Sequence, residues 1–127
     1  MFRRLRALGV CFAVLASLVF AARALALTSD LTDWNLTEST STWPTQYHIS
    51  TDGSLIQFHW SDSPNKTTVI SANGCTDLSF LGSSSYGVND TSWHSLYSGA
   101  SGQCFVLRGR TGAGQGSMVN HDGQVSR

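Results

Sequence analysis

The chain is poor in lysine, glutamate, proline and cysteine. It has one lysine, one glutamate, two prolines and three cysteines among 127 residues, and only 13% of its residues are charged. Nucleic acids and anionic membranes are bound chiefly through clustered Lys and Arg, so neither is an expected partner. Beyond residue 26, no segment sustains the apolar spacing of an amphipathic helix, which leaves strands and turns as the expected structure.

The first 26 residues have the three parts of a secretory signal peptide. Three arginines precede an apolar run over residues 7–22, and Ala24-Leu25-Ala26 offers small residues for cleavage. We therefore predict a signal peptide over residues 1–26 and a secreted, extracellular mature chain that has no membrane contact after cleavage. The alternative is an uncleaved anchor, for which the apolar run is short against the ~20 residues of a membrane span.

Removing that segment leaves an acidic protein. Four of the eight basic residues and none of the eight acidic ones lie in residues 1–26, so four basic and eight acidic residues remain, a net charge of −4. An acidic surface without a basic cluster fits a soluble extracellular protein, and it again argues against nucleic acid as a partner.

Two cysteines, Cys75 and Cys104, lie outside the predicted signal peptide. In an oxidising compartment, a disulfide between them is the simplest prediction. Closing a loop of about 30 residues contributes on the order of 3–4 kcal/mol in the chain-entropy model. The alternatives are two buried free thiols or an intermolecular bridge.

Three N-glycosylation sequons support secretion. They are Asn35-Leu36-Thr37, Asn65-Lys66-Thr67 and Asn89-Asp90-Thr91, and none has proline in its middle position. Each must sit on an accessible segment to be used. We predict glycans at Asn35, Asn65 and Asn89 in a source that glycosylates its secreted proteins.

The mature sequence changes in composition near residue 45. Residues 27–45 are rich in Ser and Thr and sustain neither a helical nor a strand period, which predicts a loose N-terminal arm, with one short strand near Trp34 as an alternative. From residue 46 onward, short apolar segments alternate with turn signals. In 55–60, for example, apolar and polar residues alternate with the period of a half-buried strand. We predict a single β-domain over residues 46–127.

Short strands separated by turn signals are typical of a β-sandwich or barrel. The predicted fold is all-β, a small β-sandwich of two Greek-key-like motifs with about seven or eight strands. Asp52-Gly53 suits a type I′ turn and predicts a hairpin between the first two strand candidates. The strand candidates are residues 46–50, 55–60, 67–71, 84–88, 93–97, 103–108, 118–120 and 124–126.

An internal repeat is found when the chain is shifted by 37 residues. The segments IQFHWSDSPNKTTVI (56–70) and WHSLYSGASGQCFVL (93–107) then align without a gap. Both consist of a strand, an aromatic end, a turn-rich loop and a second strand, as expected of a tandem supersecondary unit. Two similar hairpins could also arise without a common origin.

The second repeat, together with the residues before it, resembles the βγ-crystallin superfamily. The likeness comprises a C-x-x-L-S segment, a serine pair, W-x-x-L-Y, a loop with glycine and an aromatic-aliphatic strand ending in Leu-Arg. It covers roughly residues 55–110 and implies a sandwich built from Greek keys. The residues that carry it are Cys75, Leu78, Ser79, Ser84, Ser85, Trp93, Leu96, Tyr97, Gly102, Phe105, Leu107 and Arg108.

The resemblance implies a secreted, non-enzymatic binding or structural module. Some small secreted members of that superfamily act as toxins and others as protease inhibitors, so either role is a natural extension. Calcium-binding members carry an acidic signature before the serine pair, where this chain has Phe80-Leu81-Gly82. Calcium needs six to eight oxygen ligands, so no metal site is predicted, and the partial signature near Asp122 would give a weak site at best. The first repeat also lacks the family's glycine near Lys66.

No catalytic constellation stands out in the sequence. None of the four histidines has metal-motif spacing, and the serine-rich segments lack a G-x-S-x-G context. His59 and His94 alternate with apolar neighbours and are expected to point outward. The glycine-rich run 109–116 lacks the Lys-Ser/Thr of a phosphate loop. We predict no enzyme activity, no catalytic residues and no cofactor. A small hydrolase would need a cleft of His, Asp and Glu that the sequence does not reveal.

Four tryptophans are many for this length. Trp60 and Trp93 lie in strand candidates and are predicted core residues. Trp34 and Trp43 lie among polar residues and form a candidate binding face, which is the basis of an alternative function as a secreted carbohydrate-binding, lectin-like module. The expected partner is an extracellular protein or glycan, and the expected state is a monomer.

Overall fold

The structure, a computed structural model, describes residues 27–50 and 54–127. The predicted signal peptide and the predicted turn at residues 51–53 lie outside these residues. The described chain is all-β, as predicted, and forms two four-stranded antiparallel sheets. None of its segments is a helix long and apolar enough to cross a membrane. The strands are β1 (Thr28–Leu36), β2 (Ser41–His48), β3 (Ser54–Trp60), β4 (Thr68–Gly74), β5 (Phe80–Tyr86), β6 (His94–Gly99), β7 (Cys104–Thr111) and β8 (Met118–Ser126).

The eight strands pair as one long hairpin that is folded over on itself. β4 pairs with β5, β3 with β6, β2 with β7 and β1 with β8, each pair antiparallel. The sheets then have the orders β1-β8-β3-β6, here called sheet A, and β2-β7-β4-β5, here called sheet B. This is the strand order of a jelly roll, an eight-stranded sandwich that combines two Greek keys. The predicted β-sandwich is therefore confirmed.

Aromatic rings fill the space between the sheets. Phe58 and Trp60 of β3 are both 0% exposed. The Phe58 ring meets those of Trp34, Trp60 and Tyr86 edge-on, with centroids 5.0 to 6.1 Å apart, the arrangement that aromatic quadrupoles favour. The polar atoms of Trp60 and Tyr86 are satisfied, because Trp60 Nε1 donates to Thr68 Oγ1 at 2.9 Å and the Tyr86 hydroxyl donates to the Phe58 carbonyl at 2.8 Å.

The loose arm predicted for residues 27–45 is wrong, because these residues form β1 and the first part of β2. β1 is an integral strand of sheet A, so the β-domain includes the predicted arm. Leu31, Trp34 and Leu36 are all buried in the core. Their spacing is irregular because the strand bulges beside Asp33, whose φ is 55°. That bulge interrupts the period-2 pattern by which a strand is recognised.

The hairpin predicted between the first two strand candidates, which correspond to β2 and β3, is also wrong. β2 lies in sheet B and β3 in sheet A, so the two strands do not pair with each other. The two segments of the internal repeat behave alike. Both β3–β4 and β6–β7 run from sheet A to sheet B, and β3 pairs with β6 while β4 pairs with β7. The repeated unit is therefore a sheet-crossing unit, and its relation to the crystallins stays a prediction.

Candidate functional site

The loops gather at two opposite ends of the sandwich, because successive antiparallel strands begin at alternate ends. One end, here called the disulfide end, carries the β4–β5 loop (75–79) and the β6–β7 loop (100–103). The other, here called the sequon end, carries the β1–β2, β3–β4, β5–β6 and β7–β8 loops. The candidate surfaces of the protein differ between these ends and between the two sheets.

A disulfide joins Cys75 to Cys104, with Cα atoms 5.6 Å apart, which confirms the predicted pair. Cys75 directly follows β4, and Cys104 opens β7, the neighbour of β4 in sheet B. The bond thus ties the β4–β5 loop to the adjacent strand. With a sequence separation of 29 between the cysteines, it contributes about 3–4 kcal/mol in the chain-entropy model.

Hydrogen bonds fix the rest of the β4–β5 loop. Gly74 N donates to the Ser79 carbonyl at 2.8 Å, and Leu78 N donates to the Gly74 carbonyl at 3.1 Å. The buried Asn73 side chain donates to the Leu78 carbonyl at 2.8 Å. Ser79 N donates to the Asp77 carboxylate at 3.0 Å, and this bond holds the pKa of Asp77 below its ordinary value. The loop is therefore ordered before any partner binds.

This braced loop displays two large apolar side chains. Leu78 is 40% exposed, and Phe80, the first residue of β5, is 66% exposed. Leu78 also has a φ of 56°, in the left-handed region that a bulky side chain rarely adopts. Backbone strain of this kind persists only where the surrounding structure enforces it, and it is concentrated at functional sites. The loop is the first candidate recognition surface.

All three predicted glycosylation sites lie at the sequon end. Asn65 is in the β3–β4 loop and Asn89 in the β5–β6 loop, and Asn89 N donates to the Pro64 carbonyl at 2.7 Å. Asn35 is the next-to-last residue of β1, at the same end. All three asparagines are exposed. Glycans attached there would cover the end opposite the β4–β5 loop.

A polar and aromatic row crosses the outer face of sheet A. It consists of Asp30, Gln124, His59 and Trp93, and is here called the Trp93 row. Gln124 Nε2 donates to Asp30 Oδ1 at 2.7 Å, and His59 Nε2 lies 3.0 Å from Gln124 Oε1 while His59 Nδ1 lies 3.1 Å from the Thr91 carbonyl oxygen. The Trp93 ring, 43% exposed, stacks on His59 with centroids 4.0 Å apart. His59 therefore points outward as predicted, whereas the core position predicted for Trp93 is wrong.

The binding face predicted from Trp34 and Trp43 is not available to a ligand. Trp34 is only 4% exposed, and its ring packs against those of Trp43, Phe58 and Trp60. Trp43 is partly buried against the same core. Their polar sequence neighbours lie on the other face of each strand, so local composition suggested an exposure that the fold does not give. Trp60 is fully buried, as predicted.

A serine, a histidine and an aspartate are linked where the edge strands of the two sheets meet. Asp90 Oδ2 accepts from His94 Nε2 at 2.9 Å, which leaves His94 Nδ1 to accept from the Ser84 hydroxyl at 3.1 Å. This is the hydrogen-bond polarity of a serine–histidine–aspartate triad, with the two ring nitrogens exchanged. His94 is turned toward the Tyr86 ring, 4.4 Å away, so the outward orientation predicted for it is wrong.

This Ser84–His94–Asp90 group acts as a bridge within the fold. Ser84 is aligned with the buried Ile70 and lies on the inner side of β5, while His94 is aligned with a buried residue of β3. Ser92 N donates to Asp90 Oδ1 at 2.9 Å, and this bond is the main reason that the pKa of Asp90 is lowered. Because β5 edges sheet B and β6 edges sheet A, the group closes one open side of the sandwich.

Within residues 27–50 and 54–127, no group of three or more His, Cys, Asp and Glu side chains could hold a metal ion. Asp122, where the sequence leaves a weak calcium site open, accepts from Asp33 N at 2.9 Å. Its neighbour His121 pairs with Asp62 at 3.0 Å. These carboxylates therefore bind donors of the protein itself.

The β4–β5 loop and the Trp93 row were not identified from the sequence. The loop does have a local signal, an Asx turn at Asp77-Leu78-Ser79 beside a cysteine, but the exposure of Phe80 depends on the face of β5 that it occupies. The Trp93 row depends on the pairing of β3 with β8, which are distant in sequence. Comparison with models of protein families, with curated proteins and with solved structures found no match for the chain.

Proposed function

We propose that the chain is a secreted, non-enzymatic binding module that docks an extracellular protein through its β4–β5 loop. The observation that carries the proposal is the exposure of Leu78 and Phe80 on a loop braced by a disulfide and four hydrogen bonds. Within the crystallin resemblance, which remains a prediction, inhibition of a protease or toxicity to a competitor is the natural form of such binding.

The chemistry of the loop suits a protein partner. The buried centres of protein interfaces are apolar and rich in aromatic residues, and a few such anchors carry most of the binding energy. Phe80 is the most exposed of the large apolar side chains in the described residues, and Leu78 is two positions away. A loop that is already ordered loses little conformational entropy on binding, which favours affinity.

The placement of the sequons supports the same assignment. Asn35, Asn65 and Asn89 lie at the sequon end, so glycans there would leave the β4–β5 loop unobstructed. The signal-peptide pattern and the sequons favour secretion, and a disulfide in a small domain is typical of extracellular proteins.

Inhibition and growth assays on the secreted protein test the proposal. Metallo-, serine and cysteine endopeptidases form one panel, and competing microorganisms form the other. Phe80→Ser is expected to weaken the effect about tenfold or more, because it removes the main anchor. Val119→Ser is the matched control, since Val119 is 60% exposed on β8 and should change the effect by less than about twofold. The proposal would be rejected if the wild type inhibited no protease and slowed the growth of no competitor. It would also be rejected if both variants lost the same amount of inhibitory activity.

The Trp93 row favours a second candidate function, the binding of a neutral glycan. It places an exposed aromatic ring, two amide or imidazole groups and a carboxylate in one line across sheet A. Rings of this kind offer a flat apolar surface, and the polar groups can donate to and accept from sugar hydroxyls. Glycan-array binding that Trp93→Ala abolishes and Phe80→Ser leaves intact would support this function, and an array without any signal would remove it.

A further inference from the structure

The outer face of sheet B presents two arginines on β7, which lies between β2 and β4. Along β7, buried residues alternate with Arg108 and Arg110, which therefore face outward. Arg108 is aligned with Thr42 of β2 on one side and with Ser71 of β4 on the other. Three strands thus bring a guanidinium and two hydroxyls into one row.

Serines continue this surface to the edge of the sheet. Ser71 is aligned with Ser83 of β5, and Val69, which is aligned with Arg110, is aligned in turn with Ser85. Ser83 and Ser85 are both exposed. The surface is here called the arginine–serine face, and its members are Thr42, Val69, Ser71, Ser83, Ser85, Arg108 and Arg110.

Within the described residues, no carboxylate lies at salt-bridge distance from either arginine. Both ion pairs found there join an aspartate to a histidine elsewhere in the fold. Arg108 Nε donates to Thr42 Oγ1 at 3.1 Å, and Arg110 Nη1 donates to the Thr111 carbonyl at 3.5 Å. A guanidinium has five N–H donors, so most of those on both side chains remain for a ligand. Two cations without acidic partners favour an anion on this face.

The other members of the face narrow the class of anion. Single-stranded nucleic acids are held by stacking of bases on aromatic rings, and the arginine–serine face has none. Its hydroxyls can donate to and accept from sugar hydroxyls, while guanidinium groups bind oxyanions through paired N–H groups. Alternate residues of a strand lie roughly 6.6–6.8 Å apart, which separates Arg108 and Arg110 enough for two anionic groups of one polymer. We propose that the arginine–serine face binds a sulfated polysaccharide.

Affinity measurements on immobilised dextran sulfate test this binding, with unsulfated dextran and a carboxylated polysaccharide as parallel surfaces. The double variant R108Q/R110Q is expected to lose about tenfold or more in affinity, because each side chain offers a charged fork of donors. Ser83→Ala should lose about twofold to fivefold without any change of charge, since it removes one hydroxyl contact. Lys66→Gln removes one positive charge and is the control for net charge matched to the single variants Arg108→Gln and Arg110→Gln; it should stay within about twofold of the wild type.

Three results would overturn the proposal. One is wild-type binding to dextran sulfate no stronger than to unsulfated dextran. Another is equal binding to the carboxylated polymer, which would remove the preference for sulfate. The third is a loss in Lys66→Gln as large as that in R108Q/R110Q, which would reduce the effect to general charge attraction. Phe80→Ser should leave this affinity unchanged, so the outcome is independent of docking through the β4–β5 loop. Thermal unfolding of every variant confirms that the fold is retained.

Discussion

Gly123 lies where a methyl group has no room. A Cβ added there would lie 2.5 Å from Phe58 Cζ and 3.0 Å from the His59 carbonyl oxygen. The Phe58 ring is fully buried and held edge-on by three other aromatic rings, so it has little freedom to move aside. Gly123→Ala is expected to lower the free energy of unfolding by about 1–3 kcal/mol, the usual effect of overpacking a core. Urea denaturation measures the change.

Gly87 provides the matched control for that substitution. A Cβ added at Gly87 meets no atom within 4 Å, and the residue is exposed. Gly87→Ala should therefore change the free energy of unfolding by no more than about 0.5 kcal/mol. Equal losses in the two variants would show that backbone conformation, rather than the space beside Phe58, decides the result.

Tyr86 makes stability depend on alkaline pH. Burial raises the pKa of its phenol above the ordinary value of 10.0, and its hydroxyl donates to the Phe58 carbonyl at 2.8 Å. In the unfolded chain a tyrosine ionises above about pH 10, whereas native Tyr86 keeps its proton. The contribution of Tyr86 to the free energy of unfolding is therefore constant below that pH and is lost as the pH rises beyond it. Tyr86→Phe should lower stability at neutral pH by about 1 kcal/mol or more, through the lost hydrogen bond.

The same variant should lose less stability than the wild type between about pH 9 and pH 11, because one raised tyrosine pKa has been removed. Urea midpoints at the two pH values measure both effects. Some alkaline loss should persist, since burial also raises the pKa of Tyr47. If the wild type and the variant lost the same stability over this pH range, Tyr86 would be excluded as a source of the pH dependence.

At the scale of elements, the disulfide determines the stability of the β4–β5 loop and its attachment to β7. Replacing both Cys75 and Cys104 by serine is expected to lower the melting temperature by roughly 10 °C or more, from a loss of about 3–4 kcal/mol. Calorimetry of the oxidised wild type, the reduced wild type and the double variant measures this. The reduced protein and the variant should melt at similar temperatures, and an unchanged melt in both would refute the stabilising role of the bond.

The β5–β6 connection carries an acid-sensitive contact. The hydrogen bond from Ser92 N lowers the pKa of Asp90 below its ordinary 3.8. A carboxylate with a depressed native pKa stabilises the fold above that ordinary value, and the stabilisation is lost as the pH falls through the native pKa. Asp90→Asn should therefore be less stable than the wild type at neutral pH and show a flatter decline on acidification below about pH 4. Urea midpoints measure both, and Asp30→Asn controls for net charge. An unchanged acid limb would contradict the assignment.

Strand segments with an unbroken alternation could be predicted from the sequence, and the bulged parts of β1 and β8 could not. Buried and more exposed residues alternate along β3 from Leu55 to Trp60, and along β7 from Leu107 to Thr111. β1 bulges beside Asp33, and β8 bulges beside Asn120, whose φ is 55°. The first bulge made a core strand resemble an arm, and the second divided one strand into two predicted pieces. Local pattern therefore identifies a strand only where its pleat is regular.

The candidate surfaces were harder to predict than the fold, because each combines residues that are distant in sequence. His59 meets Gln124 and Trp93 only through the β3–β8 and β3–β6 pairings. Arg108 meets Thr42 and Ser71 through two further pairings in sheet B. The disulfide was predictable, since the two cysteines beyond the predicted signal peptide allow one intramolecular bond. The Trp93 row and the arginine–serine face are determined by the register of strand pairing across the sheets, which no local pattern specifies.

At the scale of the whole molecule, the four surfaces point in different directions. The sequons lie at one end and the β4–β5 loop at the other, while the Trp93 row and the arginine–serine face lie on opposite sheets. The proposed glycans, protein partner and polysaccharide would therefore occupy separate surfaces and would not compete with one another. Substitutions confined to one surface should therefore leave the affinities measured at the others unchanged.

Asp77→Asn tests whether the two ends have different functions. The substitution turns Asp77-Leu78-Ser79 into an N-glycosylation sequon on the β4–β5 loop, and Asn can still accept the hydrogen bond from Ser79 N. In a glycosylating host, the variant should gain the mass of one glycan and lose its inhibitory or growth effect. The reason is that a bulky hydrophilic group then stands beside Leu78 and Phe80.

The double variant Asp77→Asn with Ser79→Ala lacks the sequon and should retain the effect, as should the first variant after enzymatic removal of the glycan. Asn→Gln substitutions at Asn35, Asn65 and Asn89 should leave the effect unchanged as well, because any glycans at those sites would lie at the opposite end. If the glycan at position 77 had no consequence, docking would have to occur away from the β4–β5 loop. If losing the three other glycans abolished the effect, the sequon end would be the functional one. A single added glycan thus decides which end of the sandwich meets the partner.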